Sequence, residues 1–426
     1  GLSLEAMVST ENGAIETRAQ APWLSIVGIG LGGWSELGAP ARQTLLDAEL
    51  IVGGERHLAM LPPQVVGART AWPHPFTAGL SMILAYRGHP VVVLATGNPF
   101  WFGAGASLSR LVTATEIQAW PQPSAFSLAA ARLGWALQYV DCLSVHGRAL
   151  SDVVPALADR ARLLVLSWDG STPAALARLL TERGFGASQL TVVSHLGGAD
   201  ETRASSRADA WPAGDTPDLN VIGVDCVAAP TTRVLGGSPG RAEDWFTESG
   251  QITKREVRAI VFGLLAPAAG ETLWDIGAGS GAIGIEWLLV DARNQATAVE
   301  IRADRAAAIE SKAAALGAGR LRLRTGAAAE VVADLDEIPE AIFIGGGLTT
   351  PGLVDTCMAR LGPRGRLVAT SVTLEGEAIL LAAHARWGGT LRHVAIARSA
   401  PLGTFTGWQA QRPIVIWSSQ AEEVVK

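Results

Sequence analysis

Short apolar runs rich in β-branched residues alternate with longer Ala- and Leu-rich stretches along most of the chain. The short runs have the composition of buried strands, and the longer stretches have helical spacing. This alternation is typical of sheets covered by helices and predicts an α/β fold. In the first half the predicted strands are residues 24–29, 50–52, 91–95, 116–119, 163–166, 190–193 and 220–224. The predicted helices between them are residues 41–50, 104–111, 127–133 and 173–181.

The alternation stops at residues 229–250, where prolines and glycines cluster, and a second alternation begins at residue 252. Its predicted helices are residues 254–265, 281–289 and 303–316. Its predicted strands are residues 272–276, 295–299, 320–324, 341–344, 366–369, 390–398 and 413–417. No clear helix separates the last two strands, which predicts an antiparallel hairpin at the edge of the sheet. The two series do not repeat each other, so the pattern indicates a fusion of two different parts.

The length of the chain agrees with two domains, because 426 residues exceed what one hydrophobic core accommodates. We expect a flexible tail at residues 1–21, a first domain at 22–235, a linker at 236–251 and a second domain at 252–426. Hydrophobic residues make up 48% of the chain and charged residues 17%, so both domains can bury a core. The net charge of −6 argues against a nucleic-acid partner, since binding to phosphates requires cations.

The cysteines and histidines show no metal-ligand spacing, so we expect no metal site. Cys142, Cys226 and Cys357 lie far apart inside apolar runs, which is typical of buried thiols in a reducing compartment. No signal peptide is visible, and no apolar run approaches the length of about 18 residues that a membrane helix needs. The sequence therefore predicts a cytoplasmic protein without a membrane partner.

A glycine-rich motif in the second half predicts a nucleotide site. Its residues are Gly277, Ala278, Gly279, Ser280 and Gly281. It follows an apolar strand that carries Asp275 and opens a helix, whose N-terminus presents free N–H groups to a ligand. Glu300 ends the next strand, where a carboxylate commonly binds ribose hydroxyls. One alternative is a tight turn that needs glycine only for packing, which would not require Glu300. Another is a dinucleotide site, which the G-x-G-x-G spacing disfavours.

Around this motif, residues 252–417 resemble the C-terminal domain of precorrin-6Y methyltransferases. The resemblance rests on residues 252–258, 277–281, 326–328, 342–347 and 403–405. It implies a Rossmann-like class I methyltransferase that binds S-adenosylmethionine through Thr253, the five residues of the glycine motif, Glu300 and Ala328. Three consecutive glycines at residues 345–347 suit the close approach of a flat, bulky ligand; the alternative is a flexible loop.

The first half also carries a glycine motif, since Gly28, Gly30 and Gly33 satisfy the G-x-G-x-x-G pattern. Alone this motif predicts a dinucleotide site, but the first acid beyond the next strand, Glu55, comes only after two glycines. Residues 23–227 instead resemble the tetrapyrrole methylase family. The segments that carry the resemblance are residues 94–103, 121–127 and the S-x-H-G-R signature at 144–148, which marks the branch that methylates carbon 5 in the corrin pathway. The resemblance implies two α/β subdomains with a cleft.

This resemblance implies a second S-adenosylmethionine site in the first half. Its implied contacts are Leu31, Thr96, Gly97, Asn98, Trp101, Ser124 and Ala125, with Asp169 and Gly197 as further candidates. Asn98 stands where many members of the family have aspartate. Arg148 is implied to bind a substrate carboxylate through two hydrogen bonds, with His146 as a polar partner. The alternative is a histidine in a turn beside a solvated arginine.

Together the resemblances imply one polycarboxylate tetrapyrrole substrate. The first half would methylate carbon 5, and the second would methylate carbon 15 and remove carbon dioxide from the ring-C acetate. The meso carbons of precorrins are enamine-like, so methyl transfer needs positioning and no strong base. Lys254, Arg255 and Glu256 are candidates for the acid that then protonates the ring; alternatively they cap and solvate the start of a helix.

We expect a homo-oligomer formed through the second domain. Two other functions stay open. The first is the same chemistry on the cobalt-loaded substrate. The second is an RNA methyltransferase whose first half only presents the substrate, which would require a basic face and salt-dependent RNA binding.

Overall fold

The computed structural model describes residues 21–247 and 252–420. The chain forms two compact units, Gly1–Gly147 with Asp159–Thr232, and Arg148–Ala158 with Arg233–Lys426. The tail predicted at residues 1–21 lies outside the described residues except for Ala21, and so do residues 248–251 of the predicted linker. The domain boundaries proposed from the sequence stay predictions.

The first unit contains a parallel five-stranded sheet. Its strands are β1 (Leu24–Ile29), β2 (Leu50–Gly53), β3 (Ala68–Ala71), β4 (Val91–Thr96) and β5 (Ile117–Trp120), in the spatial order β3-β2-β4-β1-β5. Its helices are α1 (Ala39–Leu46), α2 (Glu55–Ala59), α3 (Phe76–Ala85) and α4 (Ala104–Leu108). All of β1 is buried because helices cover both faces of the sheet. Val27 packs in one core with Leu45 of α1, and Ile26 packs in the other with Ile83 of α3.

A second, mixed sheet completes the first unit. Its strands are β6 (Asp141–Ser144), β7 (Arg162–Leu166), β8 (Gln189–Ser194), β9 (Thr202–Arg207) and β10 (Asn220–Asp225), in the order β6-β7-β10-β8-β9. Only β6 and β7 pair in parallel. The helices are α5 (Ala125–Leu133) and α6 (Thr172–Glu182), and Phe126 of α5 packs on Leu164 of the sheet. The first unit thus has two α/β parts, as predicted.

The second unit is built on a seven-stranded sheet. Its strands are β11 (Thr272–Ile276), β12 (Gln295–Glu300), β13 (Arg322–Thr325), β14 (Ala341–Ile344), β15 (Arg366–Ser371), β16 (Thr390–Val394) and β19 (Ile414–Ser418). The order is β13-β12-β11-β14-β15-β19-β16, and β19 runs antiparallel to both of its neighbours. The predicted antiparallel pairing of the last two strands is confirmed. A separate hairpin of β17 (Ala397–Leu402) and β18 (Phe405–Ala410) lies between them in the chain.

Helices cover both faces of this sheet. They are α7 (Arg255–Leu265), α8 (Ala282–Val290), α9 (Ala303–Ala315), α10 (Ala328–Asp334), α11 (Leu353–Arg360) and α12 (Leu374–Trp387). Trp274 and Trp417 are fully buried and pack in one core with Leu353 of α11 and Leu380 of α12. Short 3-10 helices in the two units are Gly33–Glu36, Ala114–Glu116, Leu137–Tyr139, Leu150–Ala156, Ala208–Ala210 and Glu243–Trp245.

The strand prediction was wrong at residues 390–398, which form β16 and the start of β17 instead of one strand. Four strands were not predicted: β3, β6, β9 and β18. Each lies at the edge of its sheet, and most residues of β3 and β9 are exposed. An exposed edge strand lacks the apolar run from which the other strands were predicted.

Two predictions about the whole chain concern its cysteines and membranes. Cys142 is half-buried, and Cys226 and Cys357 are buried. Within residues 21–247 and 252–420, no helix combines the length and apolar composition needed to cross a membrane.

Candidate active sites

The glycine motif of the second unit lies at the carboxyl end of β11, where the sheet changes direction. From β11 the chain adds β12 and β13 on one side, and then crosses to β14 and β15 on the other. Connections that leave two neighbouring strands in opposite directions open a crevice at their carboxyl ends, and ligands bind there in open α/β sheets. The loops after β11, β12 and β14 meet at this crevice.

Gly277 brings two of these loops into backbone contact. Its φ is 67°, in the left-handed region, and a Cβ atom placed on it would lie 2.5 Å from the Cα atom of Gly346. A larger residue would push the loops apart. Gly346 therefore has two roles: it lets the backbone of the glycine motif come close, and it lines a cavity.

The carboxylate of Glu300 holds the same loop from the end of β12. Its Oε2 atom accepts a hydrogen bond from the N–H of Gly279 at 2.8 Å, and its Oε1 atom accepts one from the N–H of Arg302 at 3.0 Å. Glu300 is only 4% exposed. Each carboxylate oxygen has a second lone pair, so both retain capacity for a ribose hydroxyl.

Asp275 points into the protein. It is buried, and its Oδ2 atom accepts a hydrogen bond from the N–H of Gly284 in α8 at 2.9 Å. Its Oδ1 atom is buried without a hydrogen-bond partner among the described residues. Burial raises the pKa of Asp275 to about 7. Asp275 therefore fixes α8 against β11, and it is absent from the described lining of the neighbouring cavities.

Two adjoining cavities open over these loops. The smaller, of about 250 Å³, is lined by residues 277–280 of the glycine motif together with Thr253, Arg258 and Arg305. The larger, of about 1080 Å³, has polar walls. Its polar side chains belong to Thr253, Lys254, Thr349, Thr370, Ser371, Thr373, Gln411 and Arg412. Both cavities include Ile252, Thr253, Gly345 and Gly346 in their walls, so they share a boundary.

Ala328, Gly281 and Glu300 lie beside the cavities rather than in their described walls. Ala328 is the first residue of α10, and a Cβ atom placed on Gly347 would lie 4.0 Å from the Cβ atom of Ala328. Gly281 is the residue that precedes α8. The structure thus brings all the predicted cofactor residues of the second unit to one crevice.

Sequence reasoning missed a buried charge network behind Thr253. Arg258 and Glu286 are fully buried, and they form an ion pair at 2.7 Å. The Nε atom of Arg258 donates to the carbonyl oxygen of Thr253 at 2.9 Å. The Glu286 carboxylate also accepts hydrogen bonds from the backbone N–H groups of Gly240 and Arg241. The signal that could have revealed this network is the single charged residue, Glu286, in the apolar helix α8.

Of the three charged candidates at the start of α7, Lys254 lines the larger cavity and the other two do not. Glu256 forms a two-point ion pair with Arg398 of β17, at 2.9 and 2.5 Å. The hydrogen bonds from Arg398 lower the pKa of Glu256. The N–H of Arg255 donates to the Glu243 carboxylate at 3.2 Å. Glu256 is thus held as a carboxylate, a state that does not donate protons.

In the first unit, the loops after β1, β4 and β5 meet at the carboxyl edge of the parallel sheet. Gly28 has no room for a side chain, because a Cβ atom there would lie 1.9 Å from the carbonyl oxygen of Gly97 and 2.8 Å from the nitrogen of Gln122. The N–H of Gln122 donates to the same carbonyl oxygen at 3.1 Å. The glycine motif after β1 and two of the segments that carry the family resemblance, residues 94–103 and 121–127, therefore contact one another through their backbones.

Two polar side chains, one at the end of β4 and one in the loop that follows, make hydrogen bonds at the start of this loop. The Thr96 hydroxyl lies 3.1 Å from Nε2 of His57, a residue of α2. Burial lowers the pKa of His57, so its ring is neutral at pH 7. The Oδ1 atom of Asn98 accepts a hydrogen bond from the N–H of Phe100 at 3.1 Å. An aspartate would accept the same bond, so asparagine preserves this turn.

The start of α5 faces the same loop. Ser124 is the N-cap of α5, and its hydroxyl oxygen accepts from the N–H of Ser127 at 3.0 Å. Ala125 is the first residue of the helix. The ring of Trp101 lies 5.0 Å from the ring of Phe126 and is 38% exposed, so it covers the start of α5 from the β4 loop.

The remaining predicted residues of the first half lie in three places. Leu31 packs close to Gly198, since a Cβ atom placed on Gly198 would lie 3.0 Å from Cδ1 of Leu31. The carboxylate of Asp169 accepts hydrogen bonds from the N–H and hydroxyl of the nearby serine at position 171. His146 and Arg148 are exposed and belong to different units, the first and the second respectively.

No group of three or more His, Cys, Asp or Glu side chains within the described residues is arranged to hold a metal ion.

Two family models match the chain. Residues 24–210 match the model of the tetrapyrrole (corrin/porphyrin) methylases, and residues 244–421 match that of the precorrin methyltransferase domain. These matches agree with the topology of the two units. The predicted fold class, a tetrapyrrole methylase fold followed by a Rossmann-like methyltransferase, is confirmed.

The chain also has relatives of known name. It is 45% identical over 398 residues to the precorrin-6Y C(5,15)-methyltransferase (decarboxylating) of Sinorhizobium sp, covering 93% of this chain and 96% of the relative. It is 39% identical over 396 residues to the protein of that name from Mycobacterium tuberculosis strain H37Rv, covering 92% and 98%. A solved C-terminal domain of precorrin-6Y C5,15-methyltransferase from Rhodobacter capsulatus is 44% identical, with a TM-score of 0.41, covering 43% of this chain and 98% of that domain.

Proposed function

Because the chain belongs to the family of precorrin-6Y C(5,15)-methyltransferases (decarboxylating), we propose that it methylates precorrin-6B at carbons 5 and 15 and removes one carboxyl group as carbon dioxide. The product would be precorrin-8, an intermediate of cobalamin biosynthesis. The observation that carries the proposal is the pair of adjoining cavities in the second unit. A small cavity over a nucleoside-binding loop shares a wall with a cavity large enough for a macrocycle.

S-adenosylmethionine is the methyl donor that the family implies, and we propose one binding site in each unit. The second unit fits this group because the left-handed glycine loop, the N-terminus of α8 and the buried Glu300 carboxylate meet at one crevice. Its proposed binding residues are Thr253, Gly277, Ala278, Gly279, Ser280, Gly281, Glu300 and Ala328. Those of the first unit are Leu31, Thr96, Gly97, Asn98, Trp101, Ser124 and Ala125.

The cofactor supplies an electrophilic methyl group. The chain supplies position: Gly345 and Gly346 have no side chains, so this part of the wall that the two cavities share would let a flat substrate approach the methyl donor closely. Holding the nucleophilic carbon in line with the methyl group supplies most of the rate of such a transfer. No general base is needed because the carbon is already nucleophilic.

The two halves of the chain match two different methyltransferase family models, which supports a different reaction in each unit. The first unit would methylate carbon 5, where His146 would contact a substrate carboxylate; Arg148, predicted for the same contact, belongs to the second unit. The second unit would methylate carbon 15 and decarboxylate the ring-C acetate. There the bond to the carboxyl carbon breaks, carbon dioxide leaves, and the electron pair enters the conjugated macrocycle. Lys254, which lines the larger cavity, is our candidate for the acid that then protonates the ring.

We propose that the protein forms a homo-oligomer through the β17–β18 hairpin. Leu402, Phe405 and Trp408 of this hairpin are 68%, 79% and 81% exposed, which is unusual for three large apolar side chains on one hairpin. Phe405→Ser combined with Trp408→Ser should reduce the mass measured by light scattering. Leu374→Ser is the control, because Leu374 is 80% exposed on α12 outside the hairpin. An unchanged mass in the hairpin variant would contradict this interface.

The test of function is incubation with precorrin-6B and methyl-labelled S-adenosylmethionine, followed by mass spectrometry. Two added methyl groups and the loss of one carbon dioxide are expected. Faster turnover of the cobalt-loaded substrate than of precorrin-6B would assign the enzyme to the pathway in which cobalt is inserted first. Tight, salt-dependent RNA binding without turnover of either tetrapyrrole would overturn the proposal. Cys142 and Cys357 are free thiols, which agrees with our proposal that the enzyme works in the reducing cytoplasm.

A further inference from the structure

We infer that Arg412 binds a carboxylate of the tetrapyrrole that the second unit retains during the reaction. Arg412 lies in the short connection between β18 and β19 and lines the larger cavity. The N–H of the preceding residue, Gln411, donates to the carbonyl oxygen of Ile396 at 2.8 Å, which fixes the base of the hairpin. The connection that carries Arg412 is therefore anchored on both sides, by this bond and by the start of β19.

The charge of the larger cavity favours an anion. Its described walls contain two cations, Arg412 and Lys254, and no aspartate or glutamate. The other polar groups there are hydroxyls and an amide, which can hydrogen-bond a carboxylate without repelling it. A cleft lined by one sign of charge concentrates ligands of the opposite sign. The cavity therefore fits a polycarboxylate rather than a neutral or cationic ligand.

Arg412 is available for such a ligand. It forms no ion pair or hydrogen bond with the described residues. Some other exposed arginines of the same unit are held by neighbouring acids, as Arg293 is by Asp291 and Arg302 is by Asp304. A guanidinium group presents paired donors that match the two oxygens of a carboxylate. Arg412 is thus placed and chemically suited to hold one substrate carboxylate.

The carboxylate held by Arg412 is one that stays on the substrate. A guanidinium partner stabilises the ionised carboxylate but not carbon dioxide, so it would slow the loss of the carboxyl group to which it is bound. Decarboxylation is favoured where the leaving carboxylate is removed from water and from counter-charges. Arg412 is therefore a specificity residue that sets the position of the macrocycle, and Lys254 is the cation left for the chemistry. This inference rests on the proposed function.

The test compares Arg412→Ala and Arg412→Lys with the wild-type enzyme. Loss of a charged two-point hydrogen bond predicts a KM for precorrin in the carbon-15 reaction about 10 to 100 times higher in Arg412→Ala. Arg412→Lys should recover part of this loss. Carbon-5 methylation, affinity for S-adenosylmethionine and the ratio of decarboxylation to carbon-15 methylation should stay unchanged. Arg364→Ala, which removes an exposed arginine outside the described cavity walls, is the control.

Two kinetic results would overturn the inference. One is an unchanged KM in Arg412→Ala; the other is selective loss of decarboxylation, which would assign Arg412 to the leaving carboxylate. Binding of uroporphyrin, a macrocycle rich in carboxylates, separates this inference from the proposed function. Uroporphyrin binding that Arg412→Ala weakens would support the inference even if the wild-type protein failed to convert precorrin. Uroporphyrin binding that is indifferent to Arg412→Ala would contradict it.

Discussion

The carboxylate of Glu300 accepts a hydrogen bond from the backbone N–H of Gly279 at 2.8 Å. This bond joins the end of β12 to the glycine motif after β11, so the two sequence features that predict a nucleoside site form one structural unit. The Glu300 carboxylate fixes the loop, and we propose that its remaining lone pairs bind a ribose.

Removing the Glu300 carboxylate should weaken cofactor binding in the second unit alone. We expect Glu300→Ala to raise the Kd for S-adenosylmethionine at one of the two sites about 10- to 100-fold, because charged hydrogen bonds contribute about 1.5–3 kcal/mol. Glu300→Gln keeps an acceptor for Gly279 and should lose less. Titration calorimetry measures both sites. Glu310→Ala, an exposed acid of α9, is the control, and equal effects in the two alanine variants would contradict the assignment.

Two glycines of the same motif should respond differently to alanine. In Gly277→Ala the new Cβ atom meets the backbone of Gly346 at 2.5 Å, so we expect a displaced loop and an unstable second unit. In Gly279→Ala the nearest atom lies 3.9 Å away, and only the left-handed φ of 59° costs stability, by about 1–2 kcal/mol.

Gly279→Ala should therefore fold, lose carbon-15 methylation and keep carbon-5 methylation. Thermal unfolding and product analysis by mass spectrometry test both variants. If Gly279→Ala lost both methylations while folded, the two sites would not be independent.

The buried Asp275 predicts a pH dependence of stability. Its pKa is raised to about 7, so the folded protein holds the proton more tightly than the unfolded chain. The resulting stability is fully present below about pH 4 and is lost as the pH rises through 7. Asp275→Asn stays neutral and retains an oxygen for the N–H of Gly284. Relative to this variant, the wild-type second unit should lose about 2–3 kcal/mol between pH 5 and pH 8.

Urea unfolding detected by pulse proteolysis can follow the second unit across this pH range. Asp304→Asn is the matched control, because Asp304 is exposed and Arg302 lowers its pKa. Its removal should produce no such trend above pH 5. A constant difference between wild type and Asp275→Asn would mean that Asp275 does not change its charge in the folded protein.

The buried pair of Arg258 and Glu286 should be a major determinant of stability. Arg258→Ala leaves the Glu286 carboxylate buried with only Arg241 as a charged partner, which should cost about 3–5 kcal/mol. The exposed pair of Arg293 and Asp291 offers a matched comparison, since water screens this pair and Arg293→Ala should cost far less stability.

Urea unfolding measures both changes. Arg258→Ala should also weaken S-adenosylmethionine binding, because the carbonyl group of Thr253 loses its partner. Similar stability in the two arginine variants would show that the buried network carries little of the folding free energy.

Most buried strands could be predicted because each is a contiguous apolar run, as in β1, β4 and β12. The strands β3 and β9 could not, because exposed edge strands need no apolar side chains. The direction in which the Asp275 side chain points could not be predicted from its neighbours in the sequence either. Its position before a glycine motif suggests a ligand contact, whereas its contact with Gly284 depends on how α8 returns across β11.

By itself the sequence determined the two α/β parts, the glycine motif and the carboxylate at the end of β12. These features depend on residue order along one strand and the turn after it. Only the tertiary structure decided which distant residues face each other. In the folded protein Arg258 forms an ion pair with Glu286, and Glu256 forms one with Arg398. Lys254 and Arg412 line the same cavity. Such contacts join residues far apart in the chain, and packing fixes them rather than local preference.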